Sequence, residues 1–103
     1  MSEKLCLKWT DFQANATSSF AHLRNDNKFA DVTLATEDDQ QIEVHKVVIS
    51  AASPFFCNIL KKNKHSHPLL YMKGVKTVDL SANVDFMYYG EVYIHVIFRF
   101  VCL

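Results

Sequence analysis

Two histidines one residue apart, His65 and His67, follow a cysteine at position 57, and together they could supply ligands to a metal ion. A structural zinc site normally has four ligands in close pairs such as Cys-x-x-Cys, and this sequence has no such pair. A solvated loop is therefore the favoured interpretation of the histidines. Cys57 follows Phe56 on an apolar stretch, which indicates a buried thiol. We predict no metal and no cofactor.

The residues that could perform catalysis are also isolated. His45 could act as a base, but nucleophilic catalysis needs a Ser or Cys held beside it, and the spacing does not supply one. Glu37, Asp38 and Asp39 resemble paired carboxylates, although adjacent acids in a turn are usually solvated. A chain with 2 glycines has no Gly-rich phosphate loop. We predict no catalytic residue and no small-molecule substrate; a small hydrolase or metal protein is the weaker alternative.

The composition indicates one packed domain. Half of the 103 residues are hydrophobic, and only 2 are Gly and 2 Pro. Lys+Arg and Asp+Glu balance at 11 each, whereas domains that bind nucleic acid through phosphates are usually basic. Three widely spaced cysteines without a secretory signal favour a reducing compartment. No apolar run approaches the ~20 residues that cross a bilayer, so we predict neither nucleic-acid nor membrane binding.

The N-terminal residues predict a strand followed by a helix. Apolar residues at positions 5, 7 and 9 alternate with other residues, which is typical of a short strand. Thr10 and Gln13 have the spacing of a capping box, which predicts a helix start. The helix that follows carries an apolar stripe. The stripe consists of Phe12, Ala16, Phe20 and Leu23.

The middle of the chain predicts a β-hairpin and then several short elements. Val32 and Leu34 alternate with polar residues before a charged turn, and Ile42 and Val44 alternate after it. The remaining predicted elements are a buried short helix at 47–52, a helix capped by Ser53-Pro54, a short buried strand at 69–72, and a helix that Gly90 ends.

The last residues, Tyr93 to Leu103, have a different pattern. They combine β-branched and aromatic residues with little charge and no Pro or Gly, which is typical of an aggregation-prone strand. We predict that residues 93–103 form an apolar tail that could cover part of the core as an extra strand.

Three stretches of the sequence resemble the BTB/POZ family, in its insect tramtrack type. They are "LCLKWTDFQANATSSFAHL", "FADVTLATEDDQQIEVHKVVISAASPFF" and "VDFMYYGEV". The resemblance implies an α+β (mixed α/β) fold, in which a small sheet is flanked by short helices and an N-terminal strand and helix serve dimerisation. Carried over to this sequence, the dimer contact would use Leu5, Leu7, Trp9, Phe12, Phe20 and Leu23.

The same resemblance assigns a charged pair to the floor of a groove, and Asp31 and Lys46 match its two positions. The sequence departs from the family at Asn83, where an apolar residue is usual. The family also continues with about two more helices after "GEV", whereas "YIHVIFRFVCL" follows here. We therefore expect missing C-terminal helices, with a partial BTB/POZ domain at 1–92 and a divergent tail at 93–103.

Two functions from different classes follow from the resemblance. The first is a homo- or heterodimerising module of a nuclear transcription or chromatin regulator, whose partners are itself, other BTB proteins and co-regulators. The alternative is the substrate adaptor of a cullin-type ubiquitin ligase. Adaptors dock the cullin partly through helices that this sequence lacks, and the tramtrack-type N-terminus favours the first function.

Overall fold

The computed structural model describes residues 3–90, and this part of the chain has the predicted α+β architecture. A three-stranded sheet is flanked by four helices. The elements in chain order are α1 (Phe12–Asp26), β1 (Val32–Ala35), β2 (Gln41–Val44), α2 (Lys46–Ala52), α3 (Pro54–Lys62), β3 (Leu69–Tyr71) and α4 (Thr77–Tyr89).

The predicted hairpin is confirmed as the antiparallel pair β1–β2, in which Val32 lies opposite Val44. Its turn lacks glycine and is closed by side-chain chemistry instead. The Thr36 hydroxyl accepts a hydrogen bond from the Gln40 amide at 3.1 Å, and Asp39 adopts a left-handed φ of 62°. Aspartate tolerates that conformation better than most residues, so the turn forms without glycine. Strand β3 pairs with β1 in parallel, which gives the order β2-β1-β3.

The hydrophobic core joins one face of the sheet to helices α2, α3 and α4. Alternation places Val32 and Leu34 of β1 fully inside, and the helices cover them with apolar side chains. Helix α3 begins as its sequence predicts, with Pro54 in the first turn and the Ser53 hydroxyl accepting from the Phe56 amide at 3.3 Å. The helical core residues are Ile49, Phe56, Leu80, Val84 and Tyr88. Gly90 ends α4 with a φ of 80°, as predicted.

The charged turn of the hairpin also fixes the start of α4. The Asp38 carboxylate accepts hydrogen bonds from the Thr77 amide at 3.0 Å and from the Thr77 hydroxyl at 2.8 Å. The hydroxyl groups of Thr36 and Thr77, assisted by main-chain amides, lower the pKa of Asp38 from 3.8 to about 2. One of the acids that resembled a paired carboxylate therefore has a structural role.

The depressed pKa of Asp38 makes a testable contribution to acid sensitivity. Because the pKa is lower in the folded chain, the stabilisation is complete above about pH 4 and is lost as the pH falls through about 2. We expect the Asp38 carboxyl carbon to titrate in NMR with a midpoint near pH 2, and the midpoint to rise in Thr77→Val. A wild-type midpoint at 3.8 would show that the Thr77 contacts do not persist in solution.

Two sequence predictions about the N-terminus are wrong for the described residues. Residues 3–9 form no strand, because a strand needs a neighbouring ladder and the described chain offers none to this segment. Helix α1 starts at Phe12 rather than through a Thr10–Gln13 capping box. Its N-cap, Asp11, has a left-handed φ of 55° and makes no side-chain capping bond.

The burial of two short elements also differs from expectation. Of α2, only Ile49 is fully inside, whereas Val47 is 71% exposed. The sequence predicts a buried strand β3, yet only Leu70 packs against the core, whereas Leu69 and Tyr71 alternate with it and are exposed. No helix within residues 3–90 is long and apolar enough to cross a membrane. The predicted tail 93–103 lies outside the described residues.

Candidate interaction surface

The N-terminal segment and α1 expose an unusual amount of apolar surface. None of the fifteen residues of α1 is buried. Leu5 and Leu7 are 86% and 94% exposed, and the Trp9 ring packs edge-on against Phe12 with centroids 5.0 Å apart. Phe20 is also exposed. Apolar side chains gathered on one face of a small domain usually mark an interaction site.

A cavity of about 630 Å³ opens beside these aromatic residues. Its walls come from α1, α2 and the C-terminal part of α4, so it lies where three helices converge. Phe12 and Phe20 line it from α1, whereas Val47 lines it from α2. Its other lining residues are Gln13, Ala16, Thr17, Val48, Ala51, Ala52, Met87 and Tyr88. We call this cavity, with its three walls, the α1–α2 groove.

Polar contacts join helix α1 to α4. Arg24 lies 3.7 Å from the Asp85 carboxylate, and its guanidinium carbon lies 5.8 Å from the centroid of the Tyr88 ring. The Tyr89 hydroxyl donates to the Asn25 side chain at 3.2 Å. Because these contacts lie near the C-terminal end of α1, they leave Phe12 and Phe20 free to face the groove.

A buried histidine connects the groove to the sheet. The His45 amide donates to the Tyr88 hydroxyl at 2.8 Å, and His45 Nδ1 lies 2.6 Å from the same oxygen. His45 Nε2 contacts the Lys28 carbonyl at 2.5 Å. A carbonyl oxygen only accepts, so Nε2 carries a proton, and the Tyr88 hydroxyl can donate to Nδ1. The His45 ring nitrogens and the Tyr88 hydroxyl thus all have hydrogen-bond partners.

The environment of Tyr88 is consistent with that arrangement. Burial raises the pKa of its hydroxyl above 10.0, while the hydrogen bond to His45 and the nearby Arg24 act in the opposite direction. The phenol therefore keeps its proton at neutral pH and remains available as a donor. Lys28, His45 and Tyr88 join the end of α1, the start of α2 and the end of α4. They fix the walls of the groove.

Asp31 contacts Lys46, but through the main chain. The Asp31 carboxylate accepts from the Lys46 amide at 2.7 Å, which caps the first turn of α2. The Lys46 ammonium instead donates to the carbonyl oxygens of His65 and Ser66, each at 3.1 Å. Asp31 and Lys46 are thus in contact and both half-buried, and their observed hydrogen bond joins the carboxylate to the helix amide. The role of the two residues in a groove stays a prediction.

This geometry predicts how substitutions at the two positions combine. Asp31→Ala leaves a helix amide without its acceptor and should cost about 1–2 kcal/mol of the free energy of unfolding. Lys46→Met should cost less than about 1 kcal/mol, because its ammonium bonds are exposed. The hydrogen bond from the Lys46 amide to Asp31 survives in Lys46→Met. In urea titrations, the double variant should therefore lose the sum of the two single losses in unfolding free energy, to within about 0.5 kcal/mol. Strong coupling in the double variant would point to a direct ion pair.

The structure brings together part of the predicted interface. Phe12 and Phe20 share the groove, and Trp9 packs on Phe12, whereas Leu5 and Leu7 project from the N-terminal segment. Leu23 is half-buried and does not line the groove. Sequence reasoning missed the contribution of α2, because residues 47–52, which are apolar except for Ser50, have no periodicity that separates an exposed face from a buried one.

The residues considered as metal ligands do not assemble into a site. The His65 ring accepts from the His67 amide at 3.1 Å, and His67 Nε2 lies 2.9 Å from the Thr33 hydroxyl. Within residues 3–90, no three His, Cys, Asp or Glu side chains are arranged to hold a metal ion.

Helix α4 accommodates Asn83, which stands where the family usually has an apolar residue. The Asn83 side chain is buried and donates to the Asp79 carbonyl of the same helix at 2.9 Å.

Comparison with known proteins decides the family. The sequence model of the BTB/POZ domain family matches residues 20–98, which is most of the chain. The chain belongs to the BTB/POZ family. It is 47% identical over 90 residues to the Longitudinals lacking protein-like of Drosophila melanogaster, a match that covers 87% of this chain and 70% of the relative. The identity to the Drosophila Broad-complex core protein is 44% over 94 residues.

The BTB/POZ match spans only a small part of several relatives. The match to the Broad-complex core protein covers 91% of this chain but only 13% of that relative. The chain is 41% identical to the tramtrack alpha isoform, and that match covers 11% of the relative. The fold matches the BTB domain of zebrafish PATZ1 with a TM-score of 0.75 over 90% of this chain and 75% of that one, at 20% identity. The resemblance to an insect BTB/POZ domain of tramtrack type is thereby confirmed.

Proposed function

We propose that this BTB/POZ domain is a self-associating interaction module of a nuclear transcription or chromatin regulator, and that it performs no catalysis. The observation that carries the proposal is the exposed apolar face formed by the N-terminal segment and α1. A helix without a single buried residue gains little from the core of its own chain. It is therefore explained best as one half of an interface.

The proposed contact unites the two parts of this face. Leu5, Leu7 and Trp9 of one copy would cover the apolar part of a second copy, and Phe12 and Phe20 would lie at the centre. The alternating segment at residues 5–9 would gain there the strand partner that it lacks within the described chain. Leu23 would lie at the rim, since it is already half-buried.

The size of such a contact follows from the number of apolar groups involved. An interface that covers both N-terminal segments and both copies of α1 should bury about 2,000 Å² or more, which is the range of obligate homodimers. The same face could accept the corresponding face of a related BTB/POZ protein, since its chemistry is mainly apolar. We therefore include heterodimers with other BTB proteins, and contacts with co-regulators, in the proposal.

The nuclear role is proposed from the relatives and from charge. The stretches that resemble the tramtrack type imply a transcription regulator, and tramtrack itself is among the relatives. The chain has a formal net charge of zero, which favours protein partners over the phosphate backbone of DNA. DNA contact in such a regulator would be made by another part of the protein.

Sedimentation equilibrium of the full chain tests the proposal. We expect a mass of twice the 11.8 kDa chain across a concentration range that extends to the low micromolar level. Mixing two differently tagged forms and refolding them together should give mixed dimers. A chain that sediments as a folded monomer at all concentrations would contradict the proposed function.

A further inference from the structure

Among residues 3–90, no strand pairs with the outer side of β3, which is one edge of the sheet. The Thr33 amide donates to the Pro68 carbonyl at 3.0 Å, and the Met72 amide donates to the Ala35 carbonyl at 2.8 Å. Main-chain groups alternate in direction along a strand, so residues 68, 70 and 72 bond toward β1. The residues whose amide and carbonyl groups point away from β1 are Leu69 and Tyr71.

Apolar side chains surround this open edge. Leu69 is 57% exposed and Tyr71 is 59% exposed, although both belong to a strand. They border a cavity of about 450 Å³ between β3 and α3. Phe55 and Ile59 line it from α3, and the remaining lining residues are Leu70, Met72, Lys73 and Val75. An exposed edge with an apolar cavity beside it is the arrangement that binds an added strand.

Lysines outnumber acidic residues around this edge. Between Glu43 and Asp79 the sequence contains no acidic residue, whereas it contains six lysines. Lys73 lines the cavity, and Lys61 and Lys62 lie in the last turn of the adjacent α3. Positive charge therefore predominates beside Lys73 and the end of α3, whereas Glu37 lies at the far end, where its amide donates to the Val75 carbonyl at 2.9 Å. A bound segment should be acidic.

We propose that the outer edge of β3 binds an extended acidic segment of a partner protein. The segment continues the sheet through the main-chain groups of Leu69 and Tyr71, and apolar side chains two residues apart enter the cavity beside α3. Flanking acidic residues face Lys73 and the α3 lysines. This site is separate from the α1–α2 groove and goes beyond the proposed self-association.

Charge also decides against a second copy of this chain as the occupant. A β3–β3 pair around a twofold axis would bring Lys73 and the α3 lysines of one copy toward those of the other. Like charges brought together in this way oppose pairing. An acidic partner segment gains from the same charges.

Fluorescence anisotropy with the full chain tests the proposal. The probe is a labelled peptide Asp-Glu-Val-Thr-Val-Glu-Asp with blocked ends. At low salt we expect it to bind at least ~10-fold more tightly than the same peptide with lysine in place of every acid, and to weaken as salt is added. N-methylation of the three central amides, which preserves charge and apolar groups, should weaken it by about 10-fold or more.

Two protein variants and one control locate the site. Tyr71→Pro removes an outward amide without touching the bonds to β1, and Lys73→Glu reverses a charge at the cavity; each should weaken binding at least ~10-fold. Gln41→Pro is the control, because Gln41 lies opposite Ala35, which bonds toward β3, so its amide points outward at the other sheet edge. It should bind like wild type, and circular dichroism verifies that all three variants are folded.

Several results would overturn the β3 proposal. They are equal binding of the acidic and lysine peptides, no effect of N-methylation, or unchanged binding in Lys73→Glu. Assembly of the wild-type chain beyond a dimer that is lost in Tyr71→Pro would assign the edge to a second copy instead. A monomeric Phe20→Asp variant should still bind the peptide, so failure of this site and failure of self-association can be told apart.

Discussion

Phe20→Asp is expected to convert the self-associated chain into a folded monomer. Phe20 is 41% exposed in the single chain and lines the α1–α2 groove, so the fold of one copy tolerates a polar group there. In the proposed dimer the aspartate would be buried without a partner. A buried unpaired charge typically costs about 3–5 kcal/mol, which corresponds to a dissociation constant at least about 100-fold weaker.

Ser18→Asp is the matched control for this experiment. The substitution adds the same charge to the same helix. The helical periodicity of α1 places Ser18 on the side opposite the residues that line the groove. Analytical ultracentrifugation should show a dimer for Ser18→Asp and a monomer for Phe20→Asp. If both variants remain stable dimers, the self-association surface does not include the α1 stripe.

Tyr88→Phe is expected to destabilise the fold by about 1–3 kcal/mol, because it removes one oxygen and leaves two buried groups of His45 without a partner. The effect should appear as a lower urea midpoint with an unchanged slope. All variants must be compared at one protein concentration, since unfolding of a dimer depends on concentration.

Tyr89→Phe provides the comparison within the same helix. It removes the same oxygen from a neighbouring residue, but the Tyr89 hydroxyl bonds Asn25 at the surface. Its cost should be within about 0.5 kcal/mol of zero. Equal midpoint shifts in Tyr88→Phe and Tyr89→Phe would show that the hydroxyl contacts of His45 do not stabilise the fold.

The elements that the sequence predicted well are those governed by local patterns. Alternation of Val32 and Leu34 places both inside the sheet, and the Ser53-Pro54 pair starts α3 where such a pair should. The hairpin turn formed without glycine because Thr36 supplies the missing closure. In each case the physical cause lies within a few residues along the chain.

The features that the sequence did not predict depend on distant residues. His45 and Tyr88 are 43 positions apart, and the Asp31 cap spans 15 positions, so no short window contains either contact. The predicted strand at residues 5–9 depends on a partner that the described chain does not supply. The exposure of Leu69 and Tyr71 depends on which face of β3 the core covers, and the short apolar sequence of β3 does not indicate that face.

The most direct test of the central claim uses the single tryptophan of the chain. Trp9 lies in the proposed interface and is 59% exposed in one copy. Quenching of its fluorescence by acrylamide should be weak in the wild-type dimer and strong in monomeric Phe20→Asp, because the partner covers the indole only in the dimer. A wild-type dimer whose Trp9 is quenched as readily as that of the monomer would contradict an interface built from the N-terminal segment and α1.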